Sequence, residues 1–205
     1  LFDELDATTK TNEKVEALVR YFTEVSVDEI LFSIALLIGN KPKRPFKTTH
    51  LREWCSEISN IPLWLVEDSY YVVGDLAETL ALLIPKGEQE SYGKPLSFYF
   101  QELTDAKNFD LHEQKVYVLE NWQQLVDTEL CIFNKFITGN FRVGISKTLV
   151  IRALSQFLNQ DTSTIAHLII GKWNPLETKF DDLFDFEKVN SKEHLPDPFF
   201  LAYAV

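Results

Sequence analysis

Apolar positions along this 205-residue chain recur mostly at spacings of three and four, the helical period. Val15, Leu18, Val19 and Phe22 form one stripe. Ile30, Leu31, Ile34, Leu37 and Ile38 form a second, closed by Gly39 and then Pro42. Thr48 or Thr49 is placed to cap a helix carrying Leu51, Trp54, Cys55 and Ile58, and Pro62 suits the first turn of another running through Leu65. Leu76, Leu80 and Leu83 make a stripe that stops before Pro85, and the polar stretch 86–95, with Gly87, Gly93 and Pro95, reads as a loop. Beyond it, Leu96 to Leu103 predicts a short helix. Val116, Leu119, Trp122, Leu125 and Val126 predict a long one. Leu130 to Ile137 is apolar up to Thr138–Gly139. Ile145 to Leu158 is apolar again, and Asp161 or Thr162 caps a last helix that ends at Gly171.

Seven glycines leave little punctuation for strands and tight turns. The expected fold is therefore all-α: a single multi-helix domain over residues 1–175, made of two helical halves at about 1–85 and 95–175. Between 176 and 197 seven acids stand against three lysines with few core residues, so 176–205 reads as a linker leaving the domain. No internal repeat is visible.

Composition supports a packed core. Hydrophobic residues make up 45% of the chain, and sixteen Phe, seven Tyr and four Trp supply large buried area. The net charge of −11 argues against a uniformly basic nucleic-acid binder, although local binding depends on how charge is distributed. Two cysteines, Cys55 and Cys131, form neither a disulfide framework nor a metal motif, and suit a reducing compartment. The acidic start (Asp3, Glu4, Asp6) is unlike a signal peptide, and no apolar run approaches the ~18 residues of a membrane span. The expectation is a cytoplasmic monomer without membrane contact. Methionine is absent throughout.

Two stretches break the acidic background. Asn40 to Arg52 carries Lys41, Lys43, Arg44, Lys47 and Arg52 and no acid; Leu130 to Gln160 carries Lys135, Arg142, Lys147 and Arg152 and no acid. Such faces suit a phosphate backbone, though a core helix also holds few charges of either sign. The second stretch contains Thr138-Gly139-Asn140-Phe141-Arg142-Val143-Gly144-Ile145-Ser146-Lys147, joining two apolar helices. Gly144 and Ser146 stand where the second helix begins. A helix start presents unpaired N–H groups and the positive end of the dipole, and glycine permits close backbone approach. Arg142 and Lys147 add full charges, completing a candidate phosphate cradle. The same residues also suit a plain helix–turn–helix junction capped by Ser146. The spacing from Gly139 to Gly144 approaches a P-loop, but Ile145 stands where the P-loop lysine belongs and the preceding segment is helical, so nucleotide hydrolysis is a poor reading.

Catalytic chemistry is otherwise missing. His50, His112, His167 and His194 show no metal spacing with one another or with cysteine. No Gly-x-Ser-x-Gly elbow occurs, and Asp75 with Glu78 reads as an acidic first helical turn more readily than as a working carboxylate pair. No catalytic or metal-ligating residue is expected.

Gly39-Asn40-Lys41-Pro42-Lys43-Arg44, Leu51-Arg52-Glu53-Trp54-Cys55, Ile61-Pro62-Leu63-Trp64-Leu65 and Val73-Gly74-Asp75-Leu76-Ala77-Glu78-Thr79 occur in that order. Asn134 to Ser146, Ile165-Ala166-His167 and Gly171-Lys172-Trp173-Asn174-Pro175 follow. In register over roughly residues 1–203, these resemble the N-terminal DNA-binding domain of bacterial ATP-dependent DNA ligases, and Pro198-Phe199-Phe200-Leu201-Ala202 resembles the lead into their adenylation domain. The resemblance implies an all-α domain that grips nicked duplex DNA through phosphates and the minor groove, without sequence preference, in repair, replication or recombination. It implies DNA contacts at Thr138, Gly139, Arg142, Gly144, Ser146 and Lys147, with Lys43 and Arg44 as further candidates. Leu168, Ile169 and Ile170 follow Ala166-His167 where the family usually has a basic residue and Met, so a basic contact expected there is missing. The Lys-x-Asp-Gly motif that takes up AMP is also missing. ATP and a divalent metal, magnesium by expectation, would then serve the adenylation domain of the full-length chain, localised to the nucleoid, and not this segment, which is expected to be non-catalytic. The competing reading is a helical protein–protein interaction scaffold.

Overall fold

A computed structural model describes residues 1–41, 44–85, 94–139, 141, 144–171 and 173–186. Among the described residues there are twelve α-helices and no strand, as the three-and-four spacing requires. In chain order they are α1 (Phe2–Ala7), α2 (Thr11–Glu24), α3 (Val27–Ile38), α4 (Thr48–Ser59), α5 (Leu63–Val73) and α6 (Leu76–Leu83). Then follow α7 (Leu96–Asp105), α8 (Leu111–Gln124), α9 (Asp127–Thr138), α10 (Lys147–Leu158), α11 (Thr162–Ile170) and α12 (Phe180–Leu183).

The helices gather into two compact units that are not sequential halves. One takes Leu1, Asp3–Asn40 and the chain from Gly144 on; the other takes Phe2 and residues 41–143. The chain crosses between them at 40–41 and 143–144, not in the polar stretch 86–95 where the sequence suggested a division. Residues 86–93 lie outside the described residues.

In the first unit α3 supplies Ile30, Leu31, Ile34 and Ile38 to the core. Ser26 caps it by accepting the Glu29 N–H, and Gly39 ends it in the left-handed region at φ 86°. Val15, Leu18 and Phe22 of α2 meet Val150, Ala153 and Leu154 of α10, and Ile165 and Ile169 of α11 close the same core. Each fully buried large side chain contributes about 1.5–3 kcal/mol of transfer free energy. Residues 176–186, expected as the start of a linker, belong to this core: Leu183 and Phe184 are 8% and 6% exposed. Their apolar spacing is diluted by Asp181, Asp182 and Asp185, which hid it from a periodicity reading. Residues 187–205 lie outside the described residues.

The second unit is built on the packing of α6 against α9. Asp75 caps α6, accepting the Glu78 N–H at 3.1 Å, and Asp110 with Glu113 forms a capping box on α8. The Trp122 indole of α8, fully buried, donates to Asn134 Oδ1 of α9 at 2.7 Å, and Asn134 Nδ2 donates to the Ala77 carbonyl of α6 at 3.4 Å. Three helices thus share one satisfied polar contact. Two expectations need correction here. Val116 is 39% exposed while Val118 is buried, because the inward face of α8 runs Val118–Trp122. The helix at Pro62 continues well past Leu65, to Val73, where Gly74 takes φ 79°. Cys55 and Cys131 form no disulfide, and burial pushes the Cys55 thiol up to about 11, which makes it an inert core residue.

Candidate nucleic-acid interface

Within the second unit, α9 stops because Gly139 adopts φ 75° and donates its N–H to the Phe136 carbonyl. The last carbonyls of a helix lack intrahelical partners and carry the negative end of the dipole. Two cations answer them: Lys41 Nζ donates to the Gly139 carbonyl at 2.8 Å and Arg44 Nη1 to the Thr138 carbonyl at 3.3 Å. Burial lowers the Lys41 pKa from its ordinary value, since desolvation disfavours the charged form. Thr138 is only 6% exposed, and its hydroxyl donates back to the Asn134 carbonyl at 2.7 Å. A Cβ at Gly139 would lie 3.4 Å from the Arg44 Cβ. Thr138, Gly139 and Arg44 are therefore brought together, with the Thr138 side chain turned inward and Arg44 exposed. Lys43 and Arg142 lie outside the described residues.

The remaining basic residues of this stretch divide. Arg52 bonds the Thr48 carbonyl and pairs with Glu67 at 3.3 Å, so its charge is locally answered. Lys47 is exposed and holds the N-cap position of α4, with no side-chain cap and no acid in the first turn. The expected cap by Thr48 or Thr49 does not form, because Thr48 already lies inside the helix. Among the described residues, the start of α4 consequently combines a helix terminus without a side-chain cap and an ammonium without an ion pair. Sequence reasoning counted Lys47 among five basic residues but had no means of separating it from Lys41 and Arg52.

In the first unit Ser146 caps α10, its Oγ accepting the Leu149 N–H at 3.4 Å. The N–H groups of Lys147 and Thr148 have no acceptor among the described residues. Gly144, Ser146 and Lys147 are all exposed, and no acid occupies the first turn of α10. Gly144 takes φ 61°, and its carbonyl accepts from Lys14 Nζ of α2 at 2.8 Å. A Cβ at Gly144 would stand 3.1 Å from that nitrogen. Lys14, 130 positions earlier and almost buried, carried no signal in the sequence; only the packing of α2 on α10 brings it here. Farther along α10, Arg152 donates to Asn12 at 3.3 Å. An exposed helix start with unfilled N–H groups, a hydroxyl and an ammonium is suited to an anionic oxygen.

Among the described residues, no group of three His, Cys, Asp or Glu is placed to hold a metal ion, and no helix is long and apolar enough to cross a membrane. The family described as the DNA ligase N terminus matches residues 1–155. The chain belongs to that family, the N-terminal domain of ATP-dependent DNA ligases. No curated protein matches it.

Proposed function

We propose that this chain is the non-catalytic DNA-binding domain of an ATP-dependent DNA ligase, holding nicked duplex through phosphates and the minor groove without reading sequence. The observation that carries this reading is the start of α10, where the Lys147 and Thr148 N–H groups have no acceptor among the described residues, Gly144, Ser146 and Lys147 are exposed, and no acid occupies the first turn. Lys47 at the bare start of α4 is a second phosphate contact of the same kind. Arg142, Lys43 and Arg44 supplement them by charge, while Thr138 and Gly139 shape the end of α9 to which Lys41 and Arg44 attach.

Phosphate contacts position a protein without conveying base identity, which is what a ligase acting at any nick requires. The adenylation domain of the full-length chain, with its ATP and divalent metal, would form the phosphodiester bond; no Lys-x-Asp-Gly occurs here to take up AMP. A fluorescence anisotropy titration with nicked duplexes of unrelated sequence tests the reading. Equal affinities that fall steeply with salt are expected. Sequence-dependent affinities, or none at low salt, would contradict it.

A further inference from the structure

Eleven large apolar residues are exposed among the described residues, and seven of them lie on α5 and α6: Leu63, Trp64, Leu65, Tyr71, Val72, Val73 and Leu82. Val72 is 88% exposed and Leu82 73%. Val66 is the single buried residue of α5, although eight of its eleven residues are apolar or aromatic. Between these helices runs a groove of about 340 Å³, walled by Leu65, Asp68, Val72, Val73, Leu82 and Leu83. Concentrations of exposed apolar surface of this kind mark interaction sites.

The charge around the groove selects the occupant. From Glu53 to Pro85 the chain has six acids and no Lys, Arg or His. Glu57, Glu67 and Glu78 pair with Lys115, Arg52 and Lys135, but Asp68 forms no ion pair among the described residues and stands in the groove wall. The groove lining holds one acid and no Lys, Arg or His, which disfavours nucleic acid as its occupant. A second copy of this chain would set acid against acid.

We propose that the α5–α6 face docks a basic amphipathic helical segment of a partner protein, whose apolar side chains fill the groove and whose Lys or Arg residues meet Asp68 in its wall. Helix-in-groove recognition has this form, with apolar anchors three and four residues apart. The proposal is independent of DNA binding: it concerns different helices and charge of the opposite sign.

The test is binding of a labelled 14-residue Leu/Lys amphipathic peptide to the whole chain, beside a Lys/Ser peptide of equal charge. The Leu/Lys peptide is expected to bind more tightly, with a blue shift of the Trp64 fluorescence that is lost in Trp64→Phe. The Val72→Glu/Leu82→Glu variant is expected to bind it at least tenfold more weakly. Added negative charge would strengthen attraction to a basic peptide, so such a loss reports the apolar contact. Both positions are exposed, and Val72→Ser/Leu82→Ser is the milder pair should the first fail to fold. Equal binding of the two peptides, or unchanged binding by the folded variants, would overturn the proposal. So would a wild-type dimer in sedimentation that either variant makes monomeric, since the face would then belong to a second copy.

Discussion

Asp161 shows how much a single cap does in this fold. Its carboxylate accepts from the Ser163 and Thr164 hydroxyls and from both their N–H groups, which holds its pKa well below the usual carboxylate range. A carboxylate depressed in the folded state contributes stability that is complete above its unfolded pKa of about 4 and is lost as pH falls towards the folded value. Asp161→Ala is therefore expected to cost about 1 kcal/mol in urea unfolding at pH 7, with the difference shrinking below about pH 4. A difference that grows on acidification would contradict this. Gly144 is held by a different constraint. At φ 61°, and with Lys14 Nζ where a Cβ would crowd it, Gly144→Ala is expected to destabilise by about 1–2 kcal/mol. Unchanged urea stability would show that the left-handed turn relaxes freely.

Among the elements, α9 explains why a sequence motif mixes two kinds of residue. Asn134, Thr138 and Gly139 belong to one run with Arg142 and Gly144, yet Asn134 is fully buried between Trp122 and Ala77, and Thr138 bonds its own helix. Nothing in residue type separates such structural members from those that face solvent. Asn134→Leu is expected to cost about 2–3 kcal/mol in thermal or urea unfolding, because the Trp122 N–H is left buried without an acceptor. Lys41 and Lys147 make the same distinction among cations. Lys41→Ala is expected to lower stability by about 1–2 kcal/mol by freeing the last carbonyls of α9, with little change in the salt dependence of DNA binding. Lys147→Ala is expected to leave stability unchanged and weaken DNA binding. The reverse pattern would reassign both residues.

For the molecule as a whole, helical periodicity and the Ser146 and Asp161 caps were readable in the sequence, because they depend on neighbours within one turn, whereas Asp75, read there as part of an acidic first turn, is the N-cap of α6. The composition of the two units was not, because residues 3–40 join those from 144 on across a long stretch of chain that belongs to the other unit. For the same reason Lys14 could not be foreseen beside Gly144, and the last core residues, Leu183 and Phe184, were hidden among acids. The net charge of −11 acts at this scale too: long-range repulsion opposes the local basic surfaces, so affinity for DNA should be modest.

The most direct measurement is the slope of log K against log salt for a nicked duplex, compared between the wild-type chain and Lys47→Ala/Lys147→Ala. Each phosphate contact contributes about −0.9 to that slope, so loss of two contacts should make it shallower by roughly 2 while weakening binding at low salt. An identical slope and affinity in the folded double variant would show that neither helix start meets a phosphate, and the account of this domain's DNA contacts would fail.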